Sequence, residues 1–163
     1  MEVVKAPNKY QAADKFSIFL GGSIEMGKAE DWQSRLEKDL STYSDQLMLL
    51  NPRRDDWDSS WIQDPTPGTQ FHEQVAWELN GQSQSSDLIV YYFAPETQSP
   101  ITLLELGSYG SLDPFNVIVC CPPEFWRHGN VAMFCRHHNV SMVENYDDML
   151  TFIEKRLTDR SVH

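Results

Sequence analysis

A chain of 163 residues is long enough for one domain with a true core, and 13 Lys plus Arg against 24 Asp plus Glu leave it a net charge of −11. With no basic stripe to offset that charge, phosphate-driven binding of DNA or RNA has no support. An apolar fraction of 40% with 12% aromatics argues against disorder.

Residues 1–14 are polar and read as a flexible N-terminal arm; 15–163 read as a single domain. Phe16 to Leu20 predicts a strand closed by Gly21-Gly22. Ala29 to Tyr43 predicts a helix with Trp32, Leu36 and Leu40 four residues apart. Leu47 to Leu50 is a second strand ended by Asn51-Pro52, and a loop rich in Pro, Gly and Asp follows to Gly68. Gly68 to Asn80 predicts a helix with Phe71, Val75 and Leu79 on one stripe. Leu88 to Phe93 is apolar on both faces, as a central parallel strand is. Ser99-Pro100 opens the next helix, with Ser as cap and Pro at its first position. Val117 to Cys121, Phe125 to His138, Val140 to Val143 and Asp147 to Thr158 complete the series as strand, helix, strand and helix. Five strands with helices between them predict an α/β fold: a doubly wound, mostly parallel sheet covered on both faces. Ligands in such sheets bind beyond the carboxyl ends of the strands.

No apolar run nears the roughly 20 residues of a membrane helix, and Met1 to Asp14 lacks the apolar stretch of a signal peptide. Cys120, Cys121 and Cys135 cannot build a disulfide framework, so a reducing, cytoplasmic setting is expected. Cys120 and Cys121 alternate on a strand and point to opposite faces, and no paired metal-ligand spacing exists. Structural cysteines are expected, with no metal.

Gly22 to Ala29 approaches the phosphate-cradling pattern GxxxxGK[ST]. It fails because Ala29 has no hydroxyl for a metal ion and Glu25 sets a negative charge in the cradle. A Gly-rich turn admitting a substrate to the backbone is the plainer reading. A Ser-His-Asp triad lacks its G-x-S-x-G elbow. The informative string is Ser99 to Gly107. Glu105 lies on the second turn of that helix, where Ile101, Leu104 and Ser108 offer it no positive partner. Two readings stand: a carboxylate satisfied by backbone donors of a neighbouring loop, or a nucleophile at the floor of the crevice. Gly107 and Gly110 are expected to let this helix press closely on a neighbour.

Taken in order, several pieces carry a resemblance. They are Ile18 to Ser23, Asn51 to Arg54, Phe71-x-x-Gln74-Val75-x-Trp77-Glu78, Ser86 to Val90, Ser99 to Gly107, Cys121-Pro122-Pro123 and Gly129 to Val131. The chain resembles the nucleoside 2-deoxyribosyltransferases, and more closely their nucleoside 2-deoxyribosyltransferase-like branch, over about residues 16–145. The resemblance implies that Glu105 attacks the anomeric carbon and that Asn130, 25 residues on, holds the 5′ side of the sugar. Substrate contacts are expected from Phe19, Gly21, Gly22 and Ser23, from Asn51, Arg53, Arg54, Asp56 and Trp57, and from Trp77, Ser99 and Gly129.

Two departures matter. The family's aromatic hydroxyl near the first strand is Phe19 here, and its base-serving aspartate aligns with Ser99. Glu78 is the candidate replacement acid, with Asp56 and Asp58 as fallbacks; Tyr91 and Tyr92 read as core. Arg53 and Arg54 either clamp a phosphate, favouring a nucleotide or NAD-like substrate, or pair with Asp55, Asp56 and Asp58.

Breaking a C–N glycosidic bond passes through a cationic, oxocarbenium-like sugar that a carboxylate stabilises. Transfer of the sugar to a second base makes a transferase and transfer to water an N-glycosidase. A catalytically silent nucleotide-binding module is the reading from a different class. No cofactor is implied. The expected partners are a nucleoside or nucleotide and a free nucleobase, in a homo-oligomer, with no nucleic-acid polymer and no membrane.

Overall fold

The computed structural model describes residues 1–11, 14–23, 30–54 and 60–160. Its strands are β1 (Glu2–Lys5), β2 (Phe16–Gly22), β3 (Leu47–Asn51), β4 (Leu88–Tyr92), β5 (Val117–Cys120) and β6 (Ser141–Val143). They form one all-parallel sheet in the order β1-β3-β2-β4-β5-β6. The helices are α1 (Trp32–Asp39), α2 (Gln70–Gln84), α3 (Pro100–Leu112), α4 (His128–His138) and α5 (Tyr146–Arg160). The α/β doubly wound architecture is as expected; the strand count is six rather than five. The extra strand lies in the segment read as a flexible arm: Glu2 to Lys5 pair with Met48 to Asn51, and Val4 and Ala6 are buried.

The two faces of the sheet carry separate cores. On one, Phe19, Leu50, Tyr91 and Val119 pack with Trp77 of α2, Leu106 of α3 and Cys135 of α4. On the other, Ile18, Leu20, Val90 and Ile118 pack with Trp32 and Leu36 of α1 and Met149 and Ile153 of α5. Each of these fully buried aliphatic side chains contributes about 1.5–3 kcal/mol of transfer free energy. Cys121 belongs to the first core and Cys120 to the second, the opposite-face arrangement expected of neighbours on a strand. Burial pushes the thiols of Cys120, Cys121 and Cys135 up to about 12, so they are chemically quiet.

Three helices depart from expectation for identifiable reasons. α1 starts at its Asp31 cap, whose Oδ1 accepts from Ser34 N at 3.2 Å, and tightens into a 3-10 stretch from Leu40. The hydroxyl-rich Ser41 to Asp45 favours the tighter turn. α4 starts at His128, after two turns closed by Phe125 N to Pro122 O and His128 N to Phe125 O. α2 runs four residues past Asn80 because Gly81 is an interior residue: a Cβ there would lie 2.9 Å from Phe19 Cδ2. The expected stripe is also not the buried one. Leu79 is 46% exposed, whereas Gln74, Trp77, Gly81 and Gln82 face inward.

The register of β2 against β4 is locked below the crevice, where Asp87 Oδ2 accepts from Ser17 N at 2.8 Å and Ser17 Oγ at 2.9 Å. The chain winds outward from β2 to β3 on one side and to β4 on the other. The topological switch point therefore lies between the carboxyl ends of β2 and β4.

Candidate active site

β2 ends in Gly21-Gly22, followed by Ser23, and the glycines are required there. A Cβ on Gly21 would lie 2.8 Å from the Tyr91 ring, and Gly22, at φ 147°, abuts the Tyr92 backbone. The strand end thus lies flush on β4. Ser23 Oγ meets Thr97 Oγ1 at 2.7 Å and Ser99 Oγ at 2.6 Å, the latter two lie 2.8 Å apart, and Ala94 N donates to Ser23 Oγ at 3.0 Å. All three hydroxyl residues are buried. Ser99 precedes α3 as expected, but its side chain makes no cap hydrogen bond and belongs to this cluster instead. Its backbone is left-handed, φ 48° and ψ 49°, which costs a non-glycine residue about 1–2 kcal/mol. Ser99→Ala keeps that strain and loses the hydroxyl contacts; Ser99→Gly loses the contacts but relieves the strain. Urea denaturation is expected to find the alanine variant the less stable by about 1 kcal/mol.

On the α2–α4 face of the sheet, α2 and α3 bring two carboxylates near enough for the charge of one to act on the other. Gln74, Glu78 and Gln82 recur every fourth residue along α2, one above the other. Gln82 Nε2 donates to Glu105 Oε1 at 2.8 Å and to the Glu78 carbonyl at 3.3 Å, while its own Oε1 accepts from the Tyr91 hydroxyl. Gln74 Nε2 donates to Glu78 Oε1 at 2.6 Å and to Pro52 O at 3.0 Å. Each glutamine thus holds one carboxylate by one oxygen. Among the described residues the second oxygen of each carries no hydrogen bond, and no main-chain amide donates to Glu105.

Both carboxyls titrate above the ordinary range. Burial pushes Glu105 up to about 7, opposed by the Gln82 hydrogen bond and aided by the charge of Glu78. Burial also raises Glu78, opposed by its bond from Gln74. Gln82 went unnoticed in the sequence because the helix was expected to end before it. A carbon-13 titration of the Glu105 carboxyl is expected to have its midpoint near 7. Gln82→Leu should move it upward and Glu78→Gln downward; movement in either opposite direction would contradict this geometry.

Phe19 is core, its ring 6.2 Å from that of Trp77, and Trp77 Nε1 donates to Asn8 O at 2.8 Å. Asn51 is buried, donating to Glu37 Oε1 at 3.1 Å and accepting from Arg53 N at 2.9 Å. Arg53 lies 3.5 Å from Asp31, a partner not anticipated, and the Arg54 guanidinium sits 4.7 Å over the Trp61 ring. Asn130 and Gly129 are exposed in the first turn of α4, and the Asn130 side chain makes no hydrogen bond among the described residues. Gly107 faces open space; of the two glycines expected to press on a neighbour, only Gly110 does, against Phe134. Asp56, Trp57, their neighbours Asp55 and Asp58, and positions 24–29 of the Gly-rich turn lie outside the described residues.

A separate cavity of about 520 Å³ opens on the opposite face, lined by Tyr92, Cys120, Tyr146, Glu30, Glu96 and Glu144 among others; neither Glu105 nor Glu78 lines it. Among the described residues no group of His, Cys, Asp or Glu is arranged to hold a metal ion, and no helix is long and apolar enough to cross a membrane.

Residues 15–125 match the model of the family described as nucleoside 2-deoxyribosyltransferase like. The chain belongs to this family. The match spans β2 to β5 and so contains both carboxylates and both glutamines. A conserved protein from Enterococcus faecalis V583, known from its crystal structure, shares the fold at a TM-score of 0.57 with 14% identity. The alignment covers 87% of this chain and 99% of that one. No curated protein matches the chain. Membership of the transferase-like family implies nucleoside-like small-molecule ligands.

Proposed function

We propose that the protein cleaves the N-glycosidic bond of 2′-deoxynucleosides and transfers the deoxyribosyl group to a second nucleobase, with Glu105 as nucleophile. The observation that carries this reading is the state of the Glu105 carboxylate: one oxygen is held by Gln82, the other is unbonded, and no backbone amide satisfies it. A carboxylate placed for structure alone would recruit such donors.

In the reaction, the unbonded Glu105 oxygen forms a bond to C1′ as the C1′–N bond breaks. The bonding pair leaves with the base, and the proton of Glu78 passes to a ring nitrogen, so the base departs neutral. A second base then attacks C1′, expels Glu105 and returns a proton to Glu78. Gln82 holds the nucleophile from α2 and is itself held by the Tyr91 hydroxyl of β4, supplying the hydrogen bond that Phe19 cannot. The charge pairing of Arg53 by Asp31 favours a nucleoside over a phosphate-bearing substrate.

Incubation with a deoxynucleoside and a different free base, followed by chromatography, is expected to yield the exchanged nucleoside. Absence of both exchange and base release would refute the reading. The family reading also makes the chain a homo-oligomer. It is supported by the outer face of α3 and the turn after it, where Ile101, Leu104, Leu112 and Phe115 are each at least 60% exposed. Sedimentation is expected to exceed the 18.8 kDa monomer; a monomer at assay concentration would contradict it.

A further inference from the structure

Gly21 and Tyr91 are cross-strand partners in the register of β2 against β4. Gly21 lies two residues after Phe19 and so faces the same side of the sheet, the side on which α2 and α3 pack. A Cβ on Gly21 would lie 2.8 Å from Tyr91 Cδ1 and 2.9 Å from Cε1. That is about 0.7 Å inside ordinary carbon contact. The Tyr91 ring is fully buried, so it could make room only by pivoting, and the hydroxyl at its far end would move most. That hydroxyl is committed. It donates to Gln82 Oε1, which can only accept and has no other partner among the described residues. Nε2 of the same amide donates to Glu105 Oε1 at 2.8 Å and to the Glu78 carbonyl at 3.3 Å. Turned over, the amide would set its oxygen against both of those acceptors, so its polarity is fixed.

A donor on the oxygen of an amide polarises it and strengthens the N–H donors at its other end. Contacts thus run without a gap from the end of β2 to the carboxylate, through the Tyr91 ring and the Gln82 amide. We propose that Tyr91 is a positioning residue that orients Glu105 through Gln82, and that Gly21 is glycine to keep the Tyr91 ring in place. The kinetic consequence rests on the reading of Glu105 as nucleophile; the coupling itself does not. Gly21 then has a task other than admitting a substrate to the backbone, because the protein's own ring fills the space it leaves. The titratable groups acting on or from Glu105 are Glu78 of α2, Tyr91 of β4 and Tyr109 of its own helix. Burial raises both tyrosines, which stay neutral where Glu105 titrates. Among the described residues only the charge of Glu78 competes, and every variant below retains it.

The test is carbon-13 titration of the Glu105 carboxyl in the free protein, with base-exchange kinetics beside it. Tyr91→Phe and Gly21→Ala should each move the midpoint upward, since each weakens the hydrogen bond that favours the ionised form. Gly21→Ala should add nothing in a Tyr91→Phe background, and Tyr91→Phe nothing in a Gln82→Leu background. The exchange kcat should fall about 2- to 10-fold in Tyr91→Phe and up to about 10²-fold in Gly21→Ala, with KM little changed. The cycle of Tyr91→Phe with Gln82→Leu stands even where Gly21→Ala folds poorly. Unmoved midpoints, shifts that simply add, or a rise in KM alone for Gly21→Ala would overturn the inference. The two proposals fail separately. Coupled midpoints without base exchange would remove the catalytic reading and leave the coupling, whereas exchange with uncoupled midpoints would do the reverse.

Discussion

Glu105→Gln is expected to abolish base exchange while making the fold more stable above pH 7. Glutamine keeps the shape and can still accept from Gln82 Nε2, but it cannot form the bond to C1′. The stability effect follows from titration. Burial raises the folded carboxyl to about 7 from the ordinary 4.5, so the native protein holds this proton more tightly than the unfolded chain. The resulting stability is fully present below pH 4.5 and is lost as pH rises through about 7. Ionised Glu105 therefore costs up to about 3 kcal/mol at pH 8, a cost the neutral glutamine avoids. Thermal melts at pH 8 and pH 4.5 should show a raised Tm for the variant at the higher pH and little difference at the lower. A variant destabilised equally at both would contradict the burial of an ionisable group at this position.

Glu78→Gln is expected to lower the exchange rate by about 10²–10⁴-fold, the usual worth of a positioned general acid. The loss should depend on the leaving base. A base that departs readily without protonation should be turned over almost as well by the variant as by the parent. The pH profile separates the two carboxyls as well. kcat/KM requires Glu105 ionised and Glu78 protonated, so it should be bell-shaped, its apparent pKa values belonging to the pair. Glu78→Gln should remove the alkaline limb and leave a single ionisation, that of Glu105. A uniform loss across leaving bases and an unaltered profile would assign Glu78 a structural role.

The fold was legible where hydrophobic pattern and tertiary burial agree. The central strands β2, β4 and β5 are apolar on both faces because helices cover both, and the sequence shows this as apolar runs, broken in β2 only by Ser17. β1 escaped notice because four residues with Glu2 and Lys5 at the ends carry too little apolar signal; pairing with β3 is what orders them. α2 misled more instructively. Its sequence offers the apolar stripe Phe71, Val75, Leu79, yet the helix turns Gln74, Trp77, Gly81 and Gln82 inward.

Two facts explain the reversal. Trp77 and the space left by Gly81 seat the helix on Phe19, and the glutamines find partners in Glu78, Glu105, Tyr91 and Pro52. Polar residues accepted at a buried helix face mark a place where local pattern yields to tertiary pairing. Glu105 could be singled out from its own helix, since an acidic residue among apolar neighbours without a cation asks for an explanation. Gln82 could not, because its significance depends on a helix continuing through a glycine and on a hydroxyl reaching it from β4. Likewise Ser99 reads as a helix cap from its place before Pro100, and only the close approach of Ser23 and Thr97 reveals the hydroxyl cluster.

The central claim is that the free oxygen of Glu105 becomes covalently bound to the sugar. Rapid acid quenching during turnover of a deoxynucleoside, followed by proteolysis and mass spectrometry, tests it most directly. The expected result is one deoxyribosyl residue on the peptide containing Glu105, absent from Glu105→Gln and discharged when a second base is added. Turnover proceeding with that peptide unmodified, or with the sugar attached to another residue, would contradict the account.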